Sequence, residues 1–77
     1  MAQLEIKFYS NTDFQKAIKH FETSQFSIDE TNDFFNTLYF ECSDEESDID
    51  ATEVAITNEL IKHNFESFCF LGVLAPT

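Results

Sequence analysis

Apolar and polar side chains alternate at the start of the chain, with Leu4, Ile6 and Phe8 separated by Glu5 and Lys7, the two-residue period of a strand that buries one face. The period then lengthens. In "SNTDFQKAIKHFETSQ", Phe14, Ala17, Ile18 and Phe21 recur at i, i+3, i+4 and i+7, which predicts an amphipathic helix of about eleven residues. Asn11 or Thr12 is the expected N-cap, with Gln15 completing a Thr-x-x-Gln capping box. "FSID" is a short strand candidate and "ETND" carries turn chemistry. The long run "FFNTLYFEC" then places Phe34, Leu38, Phe40 and Cys42 on one face of a strand, and Phe35, Thr37, Tyr39 and Glu41 on the other. These two strands form an expected hairpin, in which Asn36 is an awkward inner-face residue.

"SDEESD" reads as a solvated loop, and Asp50 with Glu53 three residues on forms a second capping signature at which a helix is expected to begin. Val54, Thr57, Leu60 and Ile61 would then face inward with Ile56 at the margin, and Asn64 suits the left-handed position that ends a helix. "FESFCFLGV" is a nearly continuous apolar run closed by Gly72 and Pro76, suited to a strand buried on both faces or to an edge strand.

The order strand, helix, strand, strand, helix, strand predicts an α+β fold of the ferredoxin-like βαββαβ type, a four-stranded antiparallel sheet with two helices on one face. Right-handed crossovers put the first and third strands in the centre. Cys42 and Cys69 would then lie on strands separated by the first one, too far apart to bridge. A length of 77 residues predicts a single domain spanning 1–77. Ten Phe residues supply buried aromatic area, which at roughly 25 cal/mol per Å² opposes the conformational entropy of a small chain.

Charge changes the picture most. Fifteen Asp and Glu against four Lys give a net charge of −11, which repels nucleic acid and anionic lipid and favours basic partners. Direct binding to nucleic acid or to a membrane surface is therefore not expected. "MAQLEIKFYS" lacks the features of a secretion signal and no apolar run approaches the ~20 residues that cross a bilayer, so a cytoplasmic location with reduced thiols is expected.

Candidate chemistry is sparse. A single glycine, Gly72, excludes a glycine-rich phosphate loop, and Ser10 and Ser43 lack a nucleophile-elbow context. Cys42 and Cys69 sit in apolar runs without a flanking base, as inert core thiols do. His20 and His63 belong to no H-x-x-x-H or Cys/His pattern, so no zinc site is expected. Asp48, Asp50, Thr52 and Glu59 fall at positions 1, 3, 5 and 12 of a calcium-loop template, but Glu53 occupies position 6, which requires glycine. The expectation is a protein with no enzymatic activity, cofactor or metal.

What remains is the acidic stretch. Residues 29–53 carry ten of the fifteen acids and no lysine or arginine. The dipole of a helix start accounts for Asp48, Asp50 and Glu53, but not for Asp44, Glu45 and Glu46. In size and charge the chain resembles the nucleic-acid mimics that phages and mobile elements use against restriction, CRISPR or repair enzymes. The resemblance implies an inhibitor that presents Glu41, Asp44, Glu45, Glu46, Asp48, Asp50 and Glu53 to the groove of a basic nucleic-acid-binding enzyme. The alternative is a regulatory or assembly domain that homodimerises through its fourth strand or through an aromatic open sheet face. Tyr9, Phe35, Tyr39 and either Phe68 and Phe70 or Phe65 and Cys69 would line such a face.

Overall fold

The structure, a computed structural model, describes residues 2–74. It consists of β1 (Ala2–Phe8), α1 (Asn11–Glu22), β2 (Ile28–Asn32), β3 (Thr37–Cys42), α2 (Glu46–Lys62) and β4 (Phe68–Leu74). The strands form one antiparallel sheet in the order β2-β3-β1-β4, so β1 and β3 are central as their patterns imply. This α+β architecture is compatible with a ferredoxin-like arrangement. No helix among the described residues is long and apolar enough to cross a membrane.

The alternation in β1 becomes the floor of the core. Ala2, Leu4, Ile6 and Phe8 are buried beside Leu38, Phe40 and Cys42 of β3, and the two sets are in register at Ala2 and Cys42, Leu4 and Phe40, and Ile6 and Leu38. Phe14, Ala17 and Phe21 of α1 and Ile56 and Leu60 of α2 close over that floor. Phe21 meets Phe40 edge to face with ring centroids 5.0 Å apart, a favoured geometry for aromatic pairs.

The helix α1 starts two residues earlier than the Thr12 capping box implied. Ser10 is extended, and its Oγ accepts the Asp13 N–H at 3.0 Å, so Asn11 and Thr12 fall inside the first turn. Ser10→Ala should therefore cost about 0.5–2 kcal/mol, whereas Thr12→Ala, which removes no cap, should stay within about 0.5 kcal/mol. Urea unfolding of the two variants checks the order; an equal loss in both would contradict a Ser10 cap.

The hairpin also departs from the simple alternation. β2 runs to Asn32, with a register shift between Ile28 and Glu30, and β3 begins only at Thr37. Between them, the Asn32 side-chain oxygen accepts the N–H groups of Phe34 and Phe35, and Asn36 takes a left-handed conformation at φ 52°. Phe34 is consequently 86% exposed at the turn instead of facing the core. Asn36 is a turn residue, which removes its awkwardness as an inner-face position.

Helix α2 corrects both the expected start and the expected face. It begins at Glu46, so Asp48 and Asp50 are helical residues and Asp50 is not a cap; Glu45 occupies the cap position without a side-chain bond. Ile49 accounts for the extension, because it packs on the core immediately ahead of the expected cap at Asp50. The buried stripe is Ile49, Ile56 and Leu60, while Val54 and Ile61 are 59% and 61% exposed. At 3.6 residues per turn those two point roughly 120–140° away from the stripe.

The end of α2 is as expected. Asn64 has φ 65°, its N–H reaches the Ile61 carbonyl at 3.2 Å, and the Phe65 N–H reaches that of Leu60 at 3.0 Å. This Schellman motif turns Phe65 into the core. Of the two possibilities for the last strand, β4 takes the edge, with a bulge at Leu71 and Gly72 at φ 148°, where a side chain would be strained. Pro76, expected to mark its end, lies outside the described residues. Cys42 and Cys69 are both free thiols on strands that β1 separates.

Candidate functional site

The strand register gathers one end of the molecule into an acidic surface. Gln3 pairs with Glu41 and Ala2 with Cys42, so the start of β1 lies beside the end of β3, where the chain leaves for α2. Ile28 pairs with Phe40, which brings the start of β2 to the same end. Asp29, in the register shift, hydrogen-bonds the Gln3 amide.

Of the seven acids singled out from the sequence, Glu41 is half-buried on the open face of the sheet. Asp44 and Glu45 are exposed in the connection to α2, and Glu46, Asp48 and Asp50 are exposed on its first turns. Glu53, half-buried, comes one turn later. Glu46, Asp50 and Glu53 follow i, i+4, i+7 and share one flank of the helix, stepping by about 6 and 4.5 Å. Asp48 points elsewhere and accepts the Ser43 hydroxyl at 2.9 Å, while the Ser43 oxygen accepts the Glu45 N–H at 3.1 Å. Ser43 thus organises the turn into α2 in place of a helix cap.

The sheet adds acids that sequence reasoning left out. Glu5 and Glu30 both pair with Tyr39, one from each side, so the open face carries Glu5, Glu30 and Glu41 together with Asp29. Glu5 was legible as an outward β1 position; the join to Glu30 depends on the register. This composition overturns the expected aromatic face. Phe68 and Phe70 pack toward the core, Phe65 is buried and Phe35 sits in the hairpin turn. Tyr39 remains, half-buried among carboxylates, and Tyr9 is exposed at the far end with the Lys7 ammonium 5.8 Å from its ring. The Tyr9 hydroxyl is raised above its ordinary pKa, first by a hydrogen bond to the Cys69 thiol.

Cys42, buried at the edge of the acidic end, is pushed up in pKa by loss of water and then by the Asp44 charge, which holds it as a neutral thiol. The calcium-loop spacing dissolves in the helix: Asp48 and Glu59, eleven residues apart on α2, are separated by about 16 Å of rise and cannot wrap one ion.

Glu59 belongs to another group, which the sequence did not reveal. Its Oε1 lies 2.9 Å from His20 Nε2 on α1 and 3.2 Å from His63 Nε2 on its own helix. The two imidazole rings are 4.2 Å apart between centroids. The carboxyl is held below its ordinary pKa, chiefly by the hydrogen bond from His20 and despite partial burial. Only the i,i+4 spacing of Glu59 and His63 was visible beforehand, because His20 comes from 39 residues away.

Comparison of the chain with protein-family models, curated proteins and solved structures finds no match.

Proposed function

We propose that this domain acts by binding protein, without chemistry of its own, as an acidic surface that occupies the nucleic-acid groove of a basic target. The observation that carries the reading is the run of acids along the chain from Glu41 on the open sheet face, through the Ser43–Glu45 connection, to Glu46, Asp50 and Glu53 on one flank of α2. DNA presents one phosphate charge per ~3.4 Å along each strand, and the carboxylate steps on α2 are of the same order. A groove lined by Lys and Arg meets both as a row of anions on a rigid support. A nucleic-acid-binding enzyme is the target class, and counter-defence of the anti-CRISPR or anti-restriction type is the setting that the size and charge of the chain suggest.

The test replaces Asp44, Glu45, Glu46 and Asp48 by Asn and Gln. Affinity for a nucleic-acid enzyme that the parent protein inhibits should fall by about tenfold or more, mostly through slower association. Parent binding should weaken as salt rises and be competed by the enzyme's own DNA or RNA. Undiminished inhibition by the neutralised protein would rule the reading out.

A second reading, self-association through β4, is favoured by a different observation. Among the described residues β4 pairs with β1 alone, and Leu71, Val73 and Leu74 are 49%, 39% and 48% exposed along it. An uncovered apolar edge can pair with a second copy. Sedimentation velocity tests it: a salt-insensitive dimer supports this reading, and a concentration-independent monomer counts against it.

A further inference from the structure

We propose that His20, Glu59 and His63 form a transition-metal site that ties α1 to α2, with Zn²⁺ as its reference ion. Three potential ligands of the right chemistry converge there: two imidazole Nε2 atoms and one carboxylate oxygen. Ligand atoms bound at 2.0–2.1 Å in a tetrahedron lie roughly 3.3 Å from one another. The Nε2–Oε1 separations of 2.9 and 3.2 Å are near that value, and all three ligand atoms lie within 4.8 Å of one another.

Each ligand is placed by the fold. Glu59 and His63 stand one turn apart on the same flank of α2, and the Schellman motif at Asn64 fixes the end of that turn. His20 is set by its neighbours, edge to face with Phe21 at 5.0 Å and 6.5 Å from the ring of Phe65. Side-chain exposures of 24%, 31% and 41% leave one side of the group open to water, which suits a fourth ligand from solvent or from a partner. Two imidazoles and a carboxylate select Zn²⁺, Co²⁺, Ni²⁺ or Cu²⁺ over Ca²⁺ and Mg²⁺, which prefer all-oxygen shells. Without an ion, the Glu59 carboxylate is hydrogen-bonded to His20 and lies within ion-pair distance of His63, and a metal would replace these contacts by three coordinate bonds.

Calorimetric titration of the chelator-treated full chain with ZnCl₂ tests the site. One Zn²⁺ per chain should bind saturably, with affinity falling more than about tenfold in His20→Asn and in His63→Asn. Thr12→Ala, which removes no potential ligand, should bind as the parent does. Thermal midpoint should rise with Zn²⁺ in the parent and stay fixed in the histidine variants. Because a variant could fail to fold, the parent is also followed by NMR: both imidazole C–H resonance sets should move at one equivalent of Zn²⁺. Unmoved imidazoles, no saturable binding below millimolar Zn²⁺, or equal affinity in folded histidine variants would overturn the proposal, the last by assigning the ion to the acidic surface.

Discussion

Phe21→Ala should destabilise the domain by about 3–5 kcal/mol, enough to abolish a cooperative unfolding transition in a chain this short. Phe21 is 1% exposed, and its ring lies 5.0 Å from that of Phe40 and 5.9 Å from that of Phe26. It therefore joins α1, the segment before β2 and the central strand β3 at one point. Truncation removes the transfer free energy of the ring and leaves a cavity whose walls, β1 and β3, are held by strand pairing and cannot collapse. Small domains have little reserve, since they bury a smaller share of their surface than large ones. Circular dichroism during heating should show either a midpoint lowered by at least about 12 °C or no transition. A loss below about 1 kcal/mol would mean that α1 does not seat on the sheet through Phe21.

Leu60→Ala and Ile61→Ala should differ sharply although the residues adjoin. Leu60 is fully buried against the sheet, and its removal should cost about 2–5 kcal/mol. Ile61 is 61% exposed, and its replacement should stay within about 0.5 kcal/mol, with any loss offset by the better helix propensity of alanine. Denaturant midpoints of the pair report the rotation of α2 directly. The reverse order would restore the inward face that Val54 and Ile61 suggest in the sequence and would displace Ile49 and Ile56 from the core.

Some parts of the fold were legible because local physics and tertiary packing agree there. The alternation of Leu4, Ile6 and Phe8 survives as the central strand, and Phe14, Ala17 and Phe21 survive as a buried stripe. Asn64 was legible because few residues accept a left-handed conformation at a helix end. Phe34 was misread because hydrophobicity alone does not distinguish a strand from a turn; the Asn32 side chain, by accepting two backbone N–H groups, decided it. The start of α2 was misread because Asp50 and Glu53 form a plausible cap locally, and the competing gain from packing Ile49 lies on other elements.

The candidate surface divides in the same way. The density of acids in residues 29–53 was visible at once, as was their lack of basic neighbours. Their assembly with Glu5 and Glu30 around Tyr39 required the register of three strands. The His20, Glu59 and His63 group required two helices to be laid side by side, and neither helix signals the other.

By itself the sequence determined the features that short-range periodicity and total charge carry: the order of strands and helices, the central strand, the first helix face, and a molecule whose field favours cations. Tertiary structure alone decided which of several apolar faces of α2 turns inward, which phenylalanines are exposed, and which distant carboxylates and imidazoles become neighbours. The physical reason is that periodicity is written within a dozen residues, whereas burial and contact are set by elements far apart in the chain whose packing energies exceed local preferences of a few tenths of a kcal/mol per residue.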